Sequence, residues 1–161
     1  MGQVVDLDRL RTIRASLRSA GKRVVFTNGC FDIIHRGHVE YLTRARQLGD
    51  TLIVGVNADG SVRHLKGENR PIVCQDDRAF IVANLSPVDY VCLFEEDTPL
   101  RLIEAVVPDV LVKGADWKID DIVGKDVVER AGGKVATIEY LPERSTSGII
   151  ERVLERLGAH R

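Results

Sequence analysis

His35 and His38 lie three residues apart with Gly37 between them, and this pair has the residue types and spacing of a phosphate site. The apolar run 23–26 before the pair predicts a strand, and the apolar spacing of residues 39–48 after it predicts a helix. The histidines therefore fall at a helix N-terminus, where free N–H groups and the positive dipole end attract anions. Their spacing puts both imidazoles on one side of the turn, and Gly37 leaves room for a ligand. Two imidazoles placed in this way can donate hydrogen bonds to a phosphoryl group whose charge grows during displacement.

Two other interpretations of the histidine pair are weaker. One histidine could be a helix-entry residue and the other a chance neighbour, since single histidines are common at helix entrances. A zinc site needs more ligands, and we find no third His, Cys or carboxylate at ligand spacing nearby. Cys30, Cys74 and Cys92 are odd in number and far apart, which argues against a disulfide framework and against a metal knuckle. We therefore favour a nucleotide-phosphate site over a metal site that protein ligands alone would form.

Length and composition bound the class of protein. The chain has 161 residues, 44% of them hydrophobic and 29% charged, which is typical of an ordinary globular domain. We expect one domain over residues 1–161, with an N-terminal helix in 1–21 and a core over 22–157. Lys and Arg number 23 and Asp and Glu 24, so no basic field points to nucleic acid. No apolar run approaches the roughly 20 residues of a membrane span, and no signal-peptide pattern is present, so we expect a cytoplasmic protein that binds no membrane.

Strand and helix patterns alternate along the chain, which predicts an α/β fold with a doubly wound parallel sheet. The predicted strands cover residues 23–26, 51–56, 90–94, 110–113 and 134–140. The predicted helices cover residues 6–20, 39–48, 76–85 and 99–106, with others inside 119–131 and after 145. Several apolar side chains of one helix are expected to face inward: Ala79, Phe80, Val82, Ala83 and Leu85. The polar residues 57–71 predict a long loop at the carboxyl end of a strand, a place that is usually functional or mobile.

That predicted loop holds three cations, Arg63, Lys66 and Arg70, which could close over a triphosphate. A solvated basic loop is the common alternative. Other candidate groups stand at 113–117, directly after the fourth strand, because open α/β sheets bind ligands at such strand ends. The hydroxyl residues 145–147 stand at a helix entrance, where one of them is expected to be the N-cap.

Residues 27–42 read Thr-Asn-Gly-Cys-Phe-Asp-x-x-His-x-Gly-His-x-x-Tyr-Leu, which resembles the signature of the HIGH-type nucleotidylyltransferase superfamily. Within that superfamily, the chain most resembles the heptose-1-phosphate adenylyltransferases of the ADP-heptose pathway. The likeness runs from about Lys22 to Leu154. Leu-Lys-Gly-x-x-Arg-Pro at 65–71 and Lys-Gly-x-Asp-Trp at 113–117 are also similar to strings in that family.

The resemblance assigns roles to individual residues. The catalytic group comprises His35, His38 and Lys66. The nucleotide- and phosphate-binding group comprises Thr27, Asn28, Gly29, Cys30, Phe31, Gly37, Lys113, Gly114, Asp116, Trp117, Ser145, Thr146 and Ser147. The substrate-binding group comprises Asp32, Asn57, Arg63, Arg70 and Arg78. Asp32 could equally be a turn-forming residue, and Trp117 could simply pack. Two positions depart from the superfamily's second signature, since Ser147 stands where Thr is usual and Glu151 where a cation is common.

The same resemblance implies a Rossmann-like sheet of five strands in the order 3-2-1-4-5. It implies transfer of the adenylyl group of ATP to a sugar 1-phosphate, which would give ADP-heptose for the lipopolysaccharide core and release pyrophosphate. Mg²⁺ would accompany ATP with few protein ligands. A homo-oligomer is expected. A separate sugar kinase is also expected upstream, because many heptose adenylyltransferases carry a fused kinase and this chain has no room for one.

Two alternatives stay open at the level of the sequence. A cytidylyltransferase acting on glycerol 3-phosphate or a related alcohol phosphate uses the same chemistry, because base choice depends on backbone contacts that a sequence does not display. The match through residues 56–59 and 94–99 favours heptose and ATP. A nucleotide-binding sensor without activity is the second alternative, and the presence of both histidines, Lys66 and the hydroxyl turn argues against it.

Overall fold

The computed structural model describes residues 1–139 and 144–158, and its centre is a parallel sheet of six strands. The strands are β1 (Gln3–Val4), β2 (Val24–Gly29), β3 (Thr51–Asn57), β4 (Tyr90–Phe94), β5 (Val110–Gly114) and β6 (Lys134–Ile138). Their order across the sheet is β1-β4-β3-β2-β5-β6, and each pair of neighbours is parallel. The predicted α/β class with a parallel sheet is confirmed, but the predicted count of five strands is wrong. Without β1, the remaining five strands have the expected order.

Helices cover both faces of this sheet. They are α1 (Leu7–Ser19), α2 (Arg36–Arg46), α3 (Asp59–Lys66), α4 (Gln75–Ala83), α5 (Leu100–Val106), α6 (Lys125–Arg130) and α7 (Thr146–Gly158), with a 3₁₀ turn at Ile119–Asp121. Successive residues of a strand point to opposite faces. In β2, Val25 therefore packs in the core with α2 and α4, whereas Val24 and Phe26 pack in the core with α1, α5 and α6. Two cores explain why the central strands read as uninterrupted apolar runs.

The sixth strand, β1, lies in the N-terminal segment 1–21, where the sequence predicted only a helix. The Gln3 N–H donates to the Asp89 carbonyl at 3.0 Å, which ties the segment to the edge of the sheet beside β4. Gly2 allows this close approach, because a Cβ there would lie 2.6 Å from the Val88 oxygen. A strand of two paired residues is too short to show an alternating pattern, so it left no signal in the sequence.

Residues 57–71 do not form the long loop that their polarity suggested, because α3 occupies most of the segment. Val62 is fully buried, and the Asn57 Nδ2 donates to Ser61 Oγ at 2.9 Å across the first turn. The helix ends at Gly67, whose φ of 94° suits glycine. The prediction failed because the helix is short and only one large apolar side chain of its eight residues is buried.

Phe80 is also placed differently from the prediction, since 65% of it is exposed. Ala79, Val82 and Ala83 lie on the face of α4 that packs in the core. Phe80 follows Ala79 by one residue and so points about 100° away from that face. The last predicted strand, 134–140, forms over Lys134–Ile138, and its residue 140 lies outside the described residues.

β2 and β5 are neighbours at the centre of the sheet although β3 and β4 separate them in the chain. Such a topological switch point opens a crevice at the carboxyl ends of the two strands. The segment 30–38, which contains His35 and His38 and is called the histidine turn below, follows β2. The Lys113–Trp117 segment follows β5, so the fold brings both to this crevice. Within residues 1–139 and 144–158, no helix combines the length and apolar character that a membrane crossing requires.

Candidate active site

The turn between β2 and α2 has a constrained backbone. Phe31 has a φ of 49°, in the left-handed region that residues with a side chain rarely adopt. Its ring is buried and lies 3.0 Å from the position that a Cβ on Gly29 would take, so a larger residue at 29 would press on this ring. The Cys30 carbonyl accepts a hydrogen bond of 2.5 Å from Arg78 Nη1. Strained backbone of this kind persists where the surroundings hold it in place, and it clusters at functional sites.

His35 is the N-cap of α2, because its Nδ1 accepts the Gly37 N–H at 3.1 Å. This bond places the imidazole proton on Nε2, which leaves an N–H donor on the far side of the ring. Glycine is the residue type at position 37 that leaves the His35 ring undisturbed, since a Cβ there would lie 3.0 Å from two atoms of this ring. The sequence predicted that Gly37 leaves room for a ligand, whereas in the structure its missing side chain makes room for the His35 ring.

His38 stacks on His35 with ring centroids 3.9 Å apart and an interplanar angle of 25°. Its other neighbour is the Phe31 ring, at 5.3 Å. His38 Nδ1 is buried and has no hydrogen-bond partner among the described residues. An unpaired buried polar atom costs roughly 1–3 kcal/mol, and natural proteins tolerate that cost mainly at functional positions.

Both imidazoles of this pair are neutral near pH 7. Burial lowers the pKa of His38 to about 4, and the neighbouring His35 adds to the effect. Burial also lowers the pKa of His35. Two stacked imidazoles cannot both carry a proton without repulsion. The pair therefore acts through N–H groups of neutral rings, which can donate to an anion without first binding protons.

Lys113 faces the histidine turn from the end of β5. Its Nζ donates to the side-chain oxygen of Asn28, at the end of β2. The same ammonium lies 5.6 Å from the centroid of the Trp117 ring, which is half-exposed. Burial lowers the pKa of Lys113 to about 8, although the nearby Asp116 carboxylate opposes the shift. Gly114 is buried in a tight turn, since its carbonyl accepts the Trp117 N–H at 3.1 Å. The structure thus brings the two predicted strand-end groups together.

The N-terminus of α7 lies against the N-terminus of α2. Thr146 Oγ1 donates to the Ile33 carbonyl at 3.4 Å, which ties the second predicted signature to the histidine turn. Ser145 is the N-cap, one of the three hydroxyl residues for which that role was expected, because its Oγ accepts the Gly148 N–H at 3.1 Å. Two positive helix ends therefore meet at the crevice, where they favour a polyanion. Ser147 is exposed on the same first turn.

Arg144 is a residue that the sequence reasoning missed. Its Cβ lies 3.2 Å from the position that a Cβ on Gly37 would take, so this residue borders the start of α2. The available signal was its place directly before the hydroxyl turn at 145–147. Its neighbours 140–143, which also belong to that stretch, lie outside the described residues.

The three cations of segment 57–71 have separate positions. Lys66 is exposed. Its charge acts on the Cys30 thiol, which places Lys66 near the histidine turn. Arg70 is engaged instead with Asp32, since its Nε donates to Asp32 Oδ2 at 2.6 Å. Arg63 is exposed and makes no hydrogen bond or ion pair within the described part of the chain. Lys66 is therefore the cation of this group that is both free and close to the turn.

Asp32 connects segment 70–73 to the histidine turn. Its carboxylate is buried and accepts hydrogen bonds from the Ile72 and Val73 N–H groups at 2.9 and 2.8 Å, as well as from Arg70. Burial alone would raise the pKa of Asp32, but these backbone and guanidinium donors outweigh it and lower the pKa. In this structure the Asp32 carboxylate is thus engaged with segment 70–73, and its predicted part in substrate binding stays a prediction.

Arg78 and Asn57 are likewise turned into the protein, although both were expected to bind substrate. Arg78 is fully buried and donates to the Val73 carbonyl at 2.9 Å, to the Cys30 carbonyl and to Asp59 Oδ1 at 2.7 Å. Asn57 is buried against α3. Their polar atoms connect the turn between β2 and α2, segment 70–73 and α3. Their predicted contact with substrate stays a prediction.

Two further predicted phosphate ligands have indirect positions. Thr27 is fully buried, and its hydroxyl shares a hydrogen bond of 2.8 Å with the Tyr41 hydroxyl. Burial raises the pKa of the Cys30 thiol even though the charges of Lys66, Arg78 and Arg70 oppose it. The raised pKa favours the neutral thiol over the thiolate.

The sequence profile of the family described as Cytidylyltransferase-like matches residues 26–152, which is most of the chain and includes every element of the crevice. The chain belongs to the cytidylyltransferase-like family. The predicted resemblance to HIGH-type nucleotidylyltransferases is confirmed at this level. For this cytidylyltransferase-like chain, the histidine turn and the α7 entrance stand near the two ends of the matched region.

Several curated relatives are similar over almost the whole chain. "Bifunctional protein HldE" of Geobacter sulfurreducens is 53% identical over 156 residues, which are 97% of this chain and 32% of that protein. The proteins of the same name from Citrifermentans bemidjiense and Trichlorobacter lovleyi are 55% and 56% identical, over 94% and 96% of this chain and 31% of each relative. The chain thus spans about a third of the length of the curated relatives it matches.

Two solved structures are also similar. The lipopolysaccharide core biosynthesis protein from Thermoplasma volcanium is 30% identical, with a TM-score of 0.63, over 75% of this chain and 98% of that one. A pantoate-beta-alanine ligase from Francisella tularensis matches with a TM-score of 0.62 over 91% of this chain and 69% of that one. At 16% identity, the second likeness shows the fold alone.

In this cytidylyltransferase-like site, the groups at the crevice are suited to a polyphosphate. Neutral imidazole N–H donors, the Lys113 ammonium and two helix N-termini meet there, and all of them stabilise negative charge. Within the described residues, no group of three or more His, Cys, Asp and Glu side chains is arranged to hold a metal ion. The Asp32 carboxylate is already occupied by protein donors. The site can therefore stabilise the negative charge of phosphate groups.

Proposed function

We propose that this chain transfers the adenylyl group of ATP to heptose 1-phosphate, which gives ADP-heptose and pyrophosphate for synthesis of the lipopolysaccharide core. The observation that carries the proposal is the stacked pair of neutral histidines, His35 and His38, at the N-terminus of α2 and opposite Lys113. Such preorganised donors stabilise charge on a phosphoryl group in the transition state.

The choice of heptose and adenylyl is supported by sequence similarity. The strings at 27–42, 65–71 and 113–117 resemble those of heptose-1-phosphate adenylyltransferases. The three HldE relatives, at 53–56% identity, align over nearly all of this chain. The 30% identical solved structure is that of a lipopolysaccharide core biosynthesis protein, and an ADP-heptose synthase would contribute to the process in that name. Cytidylyl transfer to glycerol 3-phosphate is not favoured by these relatives, and it becomes an outcome of the test.

The proposed reaction needs positioning and charge stabilisation. An oxygen of the sugar phosphate attacks the α-phosphorus of ATP in line, a new P–O bond forms, and the bond between the α-phosphorus and the bridging oxygen to the β-phosphorus breaks. The attacking oxygen is already anionic, so no proton has to be removed. His35 Nε2–H and the His38 ring donate to the transferring phosphoryl group, and Lys113 lies beside it. Lys66 and the N-terminus of α7 bind the departing pyrophosphate.

Mg²⁺ fits this scheme as a companion of ATP. The phosphate oxygens would supply most of its ligands, because the described side chains form no carboxylate cluster at the crevice. When bound, the ion neutralises charge on the β- and γ-phosphates. The protein groups named above then bind and orient the same phosphates.

Further parts of the proposal concern partners. A phosphorylating activity has to supply the sugar 1-phosphate, in the same polypeptide or in another protein. A homo-oligomer is supported by exposed apolar side chains on α7, namely Val153, Leu154 and Leu157. A reducing compartment such as the cytoplasm suits the three free cysteines. Sedimentation of the purified chain tests the oligomeric state.

Pyrophosphate release tests the proposed reaction, with ATP or CTP paired with heptose 1-phosphate or glycerol 3-phosphate in the presence of Mg²⁺. We expect turnover only with ATP and heptose 1-phosphate. His38→Ala should lower that turnover on the order of 10²–10³-fold, the scale for one preorganised donor. His64→Ala, at an exposed histidine that pairs with Asp97, is the matched control. Turnover with CTP alone would overturn the substrate, and normal turnover of His38→Ala would overturn the site.

A further inference from the structure

The amino-terminal edge of the sheet, opposite the crevice, contains a second cavity of about 420 Å³. It lies where β2, β5 and β6 begin, so one β2 length, roughly 20 Å, separates it from the histidine turn. Asp109 is the one carboxylate in its lining. Five cationic side chains line it: Arg14, Arg18, Lys22, Arg23 and Lys134. The whole chain carries a formal charge of −1, so this positive concentration is local.

The wall of the cavity is built and held by hydrogen bonds. Arg14 is 5% exposed and donates to the Val106 and Val107 carbonyls at 2.8 and 2.9 Å. The Asp109 carboxylate accepts from Arg14 at 3.3 Å and from the Val24 N–H at 2.7 Å. Asp109 is therefore engaged with the wall. In the described part of the chain, no ion-pair partner is found for the other four cations, Arg18, Lys22, Arg23 and Lys134. Burial lowers the pKa of Arg14, and the nearby Arg18 charge adds to this shift.

Helix capping does not account for these unpaired cations. Basic side chains often gather near helix C-termini because the last carbonyls are unsatisfied and negative. Here the ends of α1 and α6 are closed by backbone donors: the Gly21 and Lys22 N–H groups bond Arg18 and Leu17 carbonyls, and the Gly132 and Gly133 N–H groups bond Glu129 and Val128 carbonyls. The cations are thus free to act on something else.

We propose that this cavity binds a small multivalent phosphoanion, as a site separate from the crevice. A concave site lined by one sign of charge concentrates counter-ions. Its volume falls in the range of small-molecule sites, and its lining contains no aromatic side chain on which a base would stack. The ligand chemistry is therefore that of linked phosphates and not of a nucleobase. β2 and β5 run from this cavity to the two sides of the crevice, so both sites share the same strands.

The test is a titration of the ¹⁵N-labelled chain with inorganic tripolyphosphate at constant ionic strength, followed by amide chemical shifts. Gly21, Gly132 and Gly133 report on the cavity, whereas Gly29 and Gly37 report on the crevice. We expect saturable shifts of the three cavity glycines. Arg18→Gln with Lys22→Gln should weaken this binding at least about tenfold, since one unit-charge contact in water corresponds to about fivefold.

Arg9→Gln with Arg11→Gln is the matched control, because it removes two exposed cations from the same helix outside the cavity. The control should bind within about twofold of the unaltered chain if local contacts, and not net charge, determine the affinity. The proposal is overturned if only the crevice glycines shift, or if both double variants weaken binding equally. It is also overturned if a hexaglutamate peptide binds the cavity more tightly than tripolyphosphate, which would mark a protein-docking surface.

Discussion

Replacing His38 with glutamine should flatten the loss of stability that the protein undergoes as the pH falls from 7 to 5. In the folded chain, burial and the stacked His35 lower the pKa of His38 from 6.5 to about 4. In the unfolded chain the imidazole is solvated and takes up a proton at its ordinary pKa. Between those two values the unfolded state binds more protons than the folded state. The free energy of unfolding therefore decreases as the pH falls through this window.

The size of the effect follows from the two pKa values. A shift of this extent corresponds to about 3 kcal/mol once the pH is below both values. At pH 5 the unfolded imidazole is almost fully protonated and the folded one is still mostly neutral, so about 2 kcal/mol of that loss has already occurred. At pH 7 the loss is only a few tenths of a kcal/mol. Glutamine does not titrate, so the variant lacks this contribution.

The measurement is urea unfolding followed by circular dichroism at pH 7 and pH 5, for the unaltered chain, His38→Gln and His64→Gln. The unaltered chain should lose about 2 kcal/mol more than His38→Gln over this interval. His64→Gln removes an exposed histidine that pairs with Asp97, and it shows how far the loss of any one histidine changes the pH dependence. Carboxylate titration is common to all three and cancels in the differences. Equal losses for His38→Gln and the unaltered chain would refute the conclusion that His38 is held neutral, and with it the neutral-donor role of the pair.

Three further predictions concern the crevice. Gly37→Ala should place a Cβ 3.0 Å from the His35 ring and lower turnover on the order of 10²-fold with little change in Tm; an unchanged initial rate would contradict this. Asp32→Asn should lower the free energy of unfolding by roughly 2–3 kcal/mol, because Arg70 loses its buried partner and two N–H groups lose a charged acceptor; a loss below about 1 kcal/mol in urea unfolding would argue against the fastening role. Since burial lowers the pKa of Lys113 to about 8, kcat/KM should decline as the pH rises above that value. Lys113→Arg should abolish this decline, and a decline that persists in the variant would assign it to another group.

The histidine turn could be predicted from the sequence because its signals are local. A strand, a glycine and a helix entrance stand within about twenty residues, and each has a short-range physical cause. The same is true of the Ser145 cap and of the strand end at Lys113. Tertiary structure was needed to show that these segments meet, although the switch-point rule for parallel sheets already indicated it.

The positioning residues could not be assigned in this way, because their partners are distant in the chain. Asp32 binds N–H groups 40 and 41 residues away, and Arg78 binds the Cys30 carbonyl 48 residues away. In the sequence, a charged residue close to the histidine turn suggests a ligand contact. In the folded chain, Asp32 and Arg78 are buried and bond to backbone groups. β1 escaped prediction for the opposite reason: its pairing depends on two residues and on the absence of a Cβ at Gly2.

An uncovered strand edge presents free N–H and C=O groups that can pair with another chain. Without β1, the edge of this sheet would be β4, whose Val91 and Cys92 are buried and apolar. Such a strand is a template for aggregation. β1 covers it and ends the sheet with two exposed residues, one of them the polar Gln3, and a very short edge strand is a poor template. The first five residues therefore cover an edge that could otherwise pair with another chain, and we expect their deletion to favour self-association even where the crevice stays intact.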